Sequence, residues 1–340
     1  MKSHVVVVGA GVIGLTTALQ LSMDGVPADR ITIVAKDLSE ATVSSVSAAL
    51  WETPPYEMEA DTNAIEWCAA TLHKLTELQR DHPEAGIHTV PSFTVSEKKL
   101  KPNVDAKNTC TSYQAWESPS KLNATLRRAG VPELSDVFRY FESYDAPIAS
   151  MNVYMPWLNA QLAERGIKVI QKEIPDLYTL AKSNVIVVNC TGLASHKIDP
   201  KVYPCKGQIV VINAPWVRAA ILDMDSGAYM IPRTNGTLIC GGTSENNKWD
   251  FNVEDHVTEQ IMKKCSNIVP SITKAPILAV KVGHRPKRHG GVRLEGENSP
   301  HGGVIVHNYG HGGSGLCCSW GTAVAASKLV LAHMRQPSKL

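Results

Sequence analysis

The chain has 340 residues, of which 44% are hydrophobic and 19% are charged, and its formal net charge at pH 7 is +2. This length allows two domains, and the small net charge with interspersed signs excludes a protein with a basic nucleic-acid-binding face. No run of about 18 consecutive apolar residues predicts a membrane span. We therefore expect a globular protein that binds neither nucleic acid nor membrane.

The first βα unit has the pattern of a dinucleotide-binding turn. Residues 5–8 are four valines, which predict a buried parallel strand, and an apolar helix pattern follows a G-x-G-x-x-G match. The first glycine permits a tight turn, the second lets the backbone approach a pyrophosphate, and the third lets helix and strand pack closely. The helix N-terminus favours an anion, and the motif leaves NAD, NADP and FAD open. The predicted pyrophosphate-binding residues are Gly9, Ala10, Gly11, Val12, Ile13 and Gly14.

The second predicted strand, within residues 30–37, ends without the acidic residue that binds the adenosine ribose in many Rossmann folds. Ala35 occupies that position, and Lys36 and Asp37 follow it. Either Asp37 binds the ribose from one position further along, or the basic Lys36 indicates a 2′-phosphate. A loop rich in serine and threonine comes next.

The pattern changes from about Trp51. A Pro-Pro pair interrupts the chain, after which Asp61 or Thr62 can cap a helix with a 3.6-residue apolar period. The following region predicts short extended segments and a further helix at 119–130. Because no dinucleotide pattern occurs there, we assign residues 51–150 mostly to a second domain.

The βαβ order returns after residue 150. A helix, a glycine and a strand ending near Ile174 precede a buried strand within residues 184–195, which ends in Asn-Cys-Thr-Gly. Ligands of Rossmann folds lie at the carboxyl ends of the strands. Thr191 and Gly192 are therefore candidate cofactor contacts.

The last third of the chain predicts a strand-rich region and then a final βα unit. Residues 205–280 contain strand segments and one amphipathic helix, and the connection at 216–228 could close over a pocket. Residues 302–334 predict a strand, a glycine-rich turn and an amphipathic helix.

The predicted fold class is α/β. Segments with the Rossmann pattern alternate with segments that lack it, so we expect a Rossmann-type nucleotide-binding domain interleaved with an α+β substrate-binding domain on a mixed or antiparallel sheet. The predicted nucleotide domain comprises residues 1–50, 151–200 and 283–335, the second domain comprises 51–150 and 201–282, and residues 336–340 form a tail.

The eight cysteines show neither C-x-x-C pairs nor zinc-like spacing. Cys317 and Cys318 are adjacent, which suits neither a disulfide framework nor a metal site. We therefore predict buried thiols without disulfides, and no metal ligands.

The chain ends in Ser338-Lys339-Leu340, which is the peroxisomal address S-K-L. This tripeptide predicts recognition by the peroxisomal import receptor. We therefore expect the protein in the peroxisomal matrix.

Five separated motifs resemble, in the same order, the D-amino-acid oxidase and D-aspartate oxidase family of FAD enzymes. They are GAGVIG at 9–14, NCTG at 189–192, YMIP at 229–232, VGHRPKR at 282–288 and HNYGHGGSG at 307–315. The resemblance spans nearly the whole chain, is most similar to the fungal D-amino-acid oxidases, and agrees with the peroxisomal tail. It implies an FAD enzyme that transfers hydride from the substrate Cα to flavin N5 and reduces O₂ to hydrogen peroxide. Because family members are often dimers, it also implies a homodimer.

The resemblance carries cofactor contacts onto several segments. Lys36 and Asp37 match the region that touches the adenosine, and the backbone contact beside adenine falls near Ile174. The turn before the last helix is expected at the flavin, where the positive end of the helix dipole stabilises negative charge on reduction. Residues expected along the ribityl chain and flavin are Ser44, Ser45, Ala48, Ala49, Leu50, Arg285, Gly312, Gly313, Ser314, Gly315 and Leu316.

The resemblance also implies the substrate site. Arg285 matches the arginine whose planar guanidinium pairs with the substrate α-carboxylate, and Tyr229 matches the tyrosine whose hydroxyl joins it. The Gly313 carbonyl is expected to receive the substrate amine. Tyr56 lies near the position of a pocket-wall tyrosine, and Ser314 stands where many mammalian relatives carry a tyrosine.

Two alternatives remain open from the sequence. The first is a D-aspartate oxidase: the lid holds Leu222 nearest the extra arginine of the animal enzymes, and Asp223 and Asp225 disfavour a second carboxylate, but Arg218 and Arg233 remain possible partners. We therefore favour neutral or polar D-amino acids over acidic ones. The second is a nicotinamide-dependent dehydrogenase, which explains the first turn but gives no role to the late glycine-rich turn.

Overall fold

The computed structural model describes residues 3–53, 63–116, 126–127 and 134–335. Several predictions fall outside the described residues, namely those for Tyr56, the candidate caps Asp61 and Thr62, most of the helix at 119–130, and the tripeptide Ser338-Lys339-Leu340.

Helices and strands alternate over most of the described chain. The helices are α1 (Val12–Met23), α2 (Ala64–Asp81), α3 (Val104–Thr109), α4 (Met151–Glu164), α5 (Leu177–Leu180), α6 (Asp255–Ile268) and α7 (Gly315–Arg335). The strands are β1 (His4–Val8), β2 (Ile31–Ala35), β3 (Ile87–Ser96), β4 (Gln114–Trp116), β5 (Tyr140–Ala149), β6 (Lys168–Gln171), β7 (Val185–Asn189), β8 (Val202–Asn213), β9 (Ala220–Asp223), β10 (Tyr229–Pro232), β11 (Thr237–Gly241), β12 (Glu245–Asn246), β13 (Ile277–Arg288), β14 (Arg293–Asn298) and β15 (Val304–Tyr309).

The first sheet has six strands in the order β14-β15-β7-β1-β2-β6. Strand β1 pairs in parallel with β2 on one side and with β7 on the other, and only β14 joins its neighbour antiparallel. The valines at 5–8 are buried, as their continuous apolar run predicts. Because the strand order changes direction at β1, a crevice opens at the carboxyl end of this strand. The Rossmann-type part of the predicted fold class is confirmed.

The second sheet has nine strands, with eight in the order β12-β8-β11-β10-β9-β3-β5-β4 and β13 pairing with β8. Its neighbours are antiparallel except for β3 and β9, which run parallel. Along β10, Met230 is buried in the core beneath the sheet while Tyr229 and Ile231 face the other side. The prediction of a mixed sheet is therefore confirmed.

Strand β13 crosses the predicted domain boundary at residue 283. Its whole length pairs with β8, from Ile277 opposite Ile212 to Arg288 opposite Val202. Helix α2, from the segment assigned to the second domain, packs against α7. The division into two domains stays a prediction.

The segment 216–228 differs from its prediction as a connection. Residues Ala220–Asp223 form β9, which pairs with β3 and β10 in the middle of the second sheet. Ala220 and Ile221 are fully buried, and burial of these apolar side chains outweighs the polar pattern around them. The prediction of a connection is therefore wrong for 220–223, whereas residues 216–219 and 224–228 lie outside the strands.

Helix α7 is the longest helix of the described chain, and the helical run Gly312–Arg335 is long and apolar enough to cross a membrane. Most of its buried side chains face α1 and α2. Trp320 donates its ring N–H to the Tyr154 hydroxyl over 2.9 Å, and the Gly321 amide donates to the Thr71 hydroxyl over 3.0 Å. These contacts are those of a core helix.

All eight cysteines are buried and none forms a disulfide, which confirms the prediction of buried thiols. The Sγ atoms of Cys68 and Cys318 lie 3.4 Å apart, which is a contact distance and not a bond.

Candidate active site

A cavity of about 1750 Å³ extends from the carboxyl end of β1 to the face of the second sheet that carries Tyr229 and Ile231. Its volume exceeds the roughly 300–1,000 Å³ of ordinary small-molecule pockets, so it has room for a dinucleotide and a second ligand. Most of the predicted site residues line it: Gly9, Ala10, Gly11, Val12, Ile13, Lys36, Asp37, Ser44, Ala48, Ala49, Leu50, Ile174, Thr191, Gly192, Tyr229, Arg285, Gly312, Gly313, Ser314, Gly315 and Leu316.

The glycine turn between β1 and α1 is shaped by two close approaches of backbone. Gly9 has a φ of +118°, and a Cβ there would lie 2.3 Å from the Cys190 carbonyl oxygen. A Cβ on Gly14 would lie 1.9 Å from the Gly9 carbonyl oxygen, so larger residues are excluded at both positions. Gly14 does not line the cavity, and its contribution is the close packing of α1 on the turn. The amide of Val12 donates to Ser44 Oγ over 2.9 Å at the helix N-terminus.

The far end of the cavity, beyond β2 and β6, carries exposed charges. Lys36 Nζ lies 3.6 Å from Glu173 Oε2, and Lys197 Nζ lies 3.6 Å from Glu173 Oε1. Asp37 and Ile174 line the same end. The three residues predicted for the adenosine, including the backbone contact at Ile174, therefore line the same cavity.

A loop at residues 38–50 forms the middle of the cavity wall. Ser45 does not line the cavity, because its hydroxyl donates to the carbonyls of Glu40 and Thr42 within the loop. Arg233 holds the other end of the loop by donating to the Ala48 carbonyl. Burial lowers the pKa of Arg233 to about 10.

Arg285 comes from β13, on the second sheet's side of the cavity. Its Nη1 donates to the Thr243 carbonyl over 2.8 Å, and among the described residues no carboxylate lies within ion-pair distance of it. The guanidinium lies over Gly207, where a Cβ would be 2.5 Å from Nη1. The remaining N–H groups are thus available to a ligand carboxylate.

Tyr229, on β10, lies beside Arg285 of β13. Its ring lies against Gly241 and Gly242, where a Cβ would come within 2.2 Å and 2.4 Å of ring atoms. Burial raises the pKa of Tyr229, and the nearby Arg285 guanidinium opposes that rise. The hydroxyl is therefore protonated at neutral pH, and it can donate a hydrogen bond in the same direction as the guanidinium.

The glycine-rich turn before α7 closes the cavity between these two walls. Residues Gly312–Ser314 form one 3₁₀ turn that leads into the helix, and Gly313 is exposed to the cavity. Among the described residues, Ser314 Oγ and Asn308 Oδ1 are buried without a hydrogen-bond partner. Burial lowers the pKa of the neighbouring His311 to about 3, so this imidazole is neutral.

Two carboxyl groups line the substrate end of the cavity. Burial raises the pKa of Glu52 to about 7, and no described group donates a hydrogen bond to its carboxylate. Glu142 is already bonded, because its Oε1 accepts from the Asn103 amide and the Tyr113 hydroxyl, each over 3.0 Å.

The two arginines considered for a second substrate carboxylate do not line the cavity. Arg218 is exposed at the surface, and Arg233 is bonded to backbone carbonyls as described. Leu222, which does line the cavity, lies directly opposite Tyr229 in the sheet.

Sequence reasoning missed residues that act through packing. Gly207 gives the Arg285 guanidinium its room, Gly241 and Gly242 support the Tyr229 ring, and Thr243 fixes Arg285 by its carbonyl. The one indication available was that β10 and β11 follow each other as a hairpin, which pairs Tyr229 with Gly241. No sequence motif indicated Glu52.

Comparison with known proteins agrees with this geometry. The model of the FAD dependent oxidoreductase family (DAO) matches residues 4–329. A D-amino-acid oxidase of Streptomyces coelicolor is 33% identical over 96% of this chain and 96% of its own length, and one of Dictyostelium discoideum is 34% identical over 97% and 92%. A D-aspartate oxidase of Homo sapiens is 30% identical over 96% and 94%. Among solved structures, glycine oxidase from Bacillus cereus superimposes with a TM-score of 0.80 over 100% of this chain and 99% of its own, at 18% identity, so it shows the fold alone.

The chain therefore belongs to the DAO family of FAD-dependent oxidoreductases. It is an oxidoreductase, and its dinucleotide is FAD, which the glycine motif alone did not distinguish from NAD or NADP. The described residues fit FAD: the glycine turn offers bare backbone where a Cβ would collide, and the unpartnered Asn308 and Ser314 oxygens are polar groups free for a ligand.

Proposed function

We propose that this enzyme oxidises D-amino acids to imino acids, which water converts to 2-oxo acids and ammonia, while O₂ is reduced to hydrogen peroxide. The observation that carries this proposal is the junction of Arg285, Tyr229 and the Gly312–Gly315 turn in one cavity that begins at the glycine turn of β1. The D-amino-acid oxidases among its relatives support the same conclusion.

The α-carboxylate of the substrate binds to Arg285 in this proposal. A guanidinium whose Nη1 is fixed by the Thr243 carbonyl presents its other N–H groups in a planar fork that matches a carboxylate. The protonated Tyr229 hydroxyl adds a hydrogen bond, and the Gly313 carbonyl receives the amine. These contacts fix two substituents of Cα, the carboxylate and the amine, and with the side chain in the pocket the single Cα hydrogen has one direction; this orientation gives both the rate and the preference for one enantiomer.

FAD, when bound, supplies the two-electron acceptor for the Cα hydride and passes the electrons to O₂. The residues that would hold it are the 9–14 turn at the pyrophosphate, Lys36 and Asp37 at the adenosine, and the 312–316 turn at the flavin. The N-terminus of α7 places its positive dipole end at that turn, which stabilises negative charge there.

Neutral or polar D-amino acids are the proposed substrates, in preference to acidic ones. Neither Arg218 nor Arg233 lines the cavity, and Glu52 and Glu142 do. A second carboxylate would meet like charge at this end. The alternative, a D-aspartate oxidase, requires a second cation beside Arg285. The other cations in the described cavity lining are Lys36 and Lys197, which lie beside Glu173 at the adenosine end, and the exposed Lys101.

An anaerobic titration tests the proposal. The purified protein, supplied with FAD, is mixed with D-alanine and then with D-aspartate while its visible spectrum is recorded, with the L-enantiomers as controls. Bleaching by D-alanine supports the proposal, and bleaching by D-aspartate alone transfers the assignment to the acidic substrates. A protein that takes up FAD but bleaches with neither D-amino acid contradicts both.

We further propose that Ser338-Lys339-Leu340 directs the enzyme to peroxisomes through the import receptor. A peroxide-producing oxidase is suited to a compartment that contains catalase. A fluorescent fusion that retains this tail at its carboxyl end should form puncta, and deletion of the tripeptide should disperse them. Diffuse fluorescence with the tripeptide intact contradicts the proposal.

We also propose a homodimer, which rests on the resemblance to family members that are often dimers. Analytical ultracentrifugation at micromolar concentration should give the mass of two chains. A monomer under those conditions would remove the proposal.

A further inference from the structure

Glu52 occupies the substrate end of the cavity because of the extended backbone around it. The Trp51 amide donates to the Pro147 carbonyl over 2.9 Å, and Leu50 forms a bridge with Ile148. Side chains alternate along such a segment. Trp51 is fully buried in the core, with its ring N–H donating to the Cys68 carbonyl over 3.0 Å, so Leu50 and Glu52 face the cavity.

The cavity wall beside Tyr229 includes apolar side chains. Leu222 and Ile231 line the cavity beside Tyr229, and Leu222 is the direct cross-strand partner of Tyr229. A substrate whose α-carboxylate binds Arg285 has its side chain in the same cavity as Leu50, these two residues and Glu52. Glu52 is also near enough to Tyr229 to contribute to the raised pKa of that hydroxyl.

This carboxyl has no fixed partner within the described chain. Its backbone amide contacts Cys317 Sγ over 3.4 Å, but no described donor reaches the carboxylate oxygens. A buried carboxylate without a partner is costly, whereas an incoming cation would satisfy it. Lys101, which also lines the cavity, is exposed to solvent and therefore screened.

We propose that Glu52 is a specificity-determining residue that selects D-amino acids with an aliphatic stem and a terminal cation, such as D-lysine and D-arginine. The apolar wall packs the methylene stem, and the Glu52 carboxylate pairs with the ammonium or guanidinium group. This inference rests on the proposed function and extends its substrates to D-amino acids with a cationic side chain.

The charge on Glu52 should follow the pH near neutrality, since burial raises its pKa to about 7. Of the titratable groups near it, Tyr229, Tyr144 and Cys317 have pKa values that burial raises, so they stay neutral between pH 6 and 8. The Arg285 guanidinium and Glu142, which is bonded to the Asn103 amide and the Tyr113 hydroxyl, also line this end of the cavity. Glu52 is thus the group that changes charge in this interval.

The test compares D-lysine with D-norleucine, which has the same stem without the ammonium group. In the wild type the ratio of their kcat/KM values should rise as the pH increases through about 7, because the deprotonated carboxylate pairs with the cation. Glu52→Gln should lower the ratio at pH 8 by about tenfold or more and remove its pH dependence. Glu66→Gln, which neutralises an exposed carboxylate on α2, should leave the ratio unchanged.

The outcomes separate this inference from the proposed function. Equal losses for D-lysine and D-norleucine in Glu52→Gln would assign Glu52 to the reacting amine or to folding and overturn the inference, as would an unchanged ratio. D-Norleucine oxidation with a pH-independent wild-type ratio would also overturn it while the proposed function stands. No oxidation of any D-amino acid by the wild type overturns both. If the glutamine variant does not fold, the wild-type pH profile decides.

Discussion

The two ends of the cavity are built in different ways. The nucleotide end consists of backbone from consecutive residues, 9–14, at the switch point of a parallel sheet. The substrate end consists of side chains from distant segments, with Arg285 on β13, Tyr229 on β10 and Glu52 after a short extended segment. At the nucleotide end an added Cβ on Gly9 or Gly14 would collide with backbone, whereas a site made of side chains depends on the chemical groups themselves. Substitutions at the two ends should therefore fail in different ways.

The largest effect should follow removal of the Arg285 guanidinium. Arg285→Ala should lower kcat/KM for D-alanine by about a hundredfold or more, because truncating one partner of a desolvated charge pair costs about 2–5 kcal/mol. FAD absorbance should be retained. Arg285→Lys should recover only part of the loss, since an ammonium group lacks the planar fork. Near-normal steady-state kinetics in the alanine variant would contradict the assignment.

At the nucleotide end, Gly14→Ala should act on folding and cofactor retention instead. The added Cβ would lie 1.9 Å from the Gly9 carbonyl oxygen, and overpacking of this kind costs about 1–3 kcal/mol. Urea unfolding of the cofactor-free protein and FAD titration measure the two losses. Gly315→Ala is the matched control for the unfolding measurement on the cofactor-free protein, because its Cβ meets only Val12 Cγ1 at 3.9 Å. Equal stability of the two variants would show that the close packing of α1 is not required.

A smaller effect should come from a glycine at the substrate end. Gly207→Ala places a Cβ 2.5 Å from Arg285 Nη1, and the displaced guanidinium should raise KM for D-alanine about tenfold. FAD affinity should not change. Gly283→Ala, at the cross-strand partner position, adds a Cβ that meets only Val46 at 3.5 Å. If both variants raise KM equally, the position of the guanidinium is not the cause.

The smallest effect concerns the pH dependence of stability. Burial lowers the pKa of His311 to about 3, while an unfolded histidine titrates near about 6.5. As the pH falls below about 6.5 the unfolded chain gains a proton that the folded chain does not, so stability is lost towards pH 3. His311→Gln should make the urea midpoint of the cofactor-free protein fall less steeply between pH 7 and 4. Parallel pH profiles would show that His311 does not titrate in this way.

The sequence indicated the nucleotide end in more detail than the substrate end. The valines at 5–8 and the glycines after them are neighbours along the chain, so their spacing alone predicts strand, turn and helix. Arg285 and Tyr229 were found only through family motifs, since nothing local brings β13 to β10. The polar pattern around residues 220–223 predicts a connection, but this segment is buried between β3 and β10 and forms a strand.

By itself the sequence determined the Rossmann unit, the family motifs and the burial of the cysteines, because each depends on residue type and local spacing. Only the tertiary structure decided which backbone atoms leave no room for a Cβ, which carbonyl fixes Arg285, and that Arg233 is occupied by the 47–48 backbone. It also placed Glu52 in the cavity without a partner among the described residues. These properties arise from contacts between segments far apart in the chain, and their distances and desolvation are set by packing.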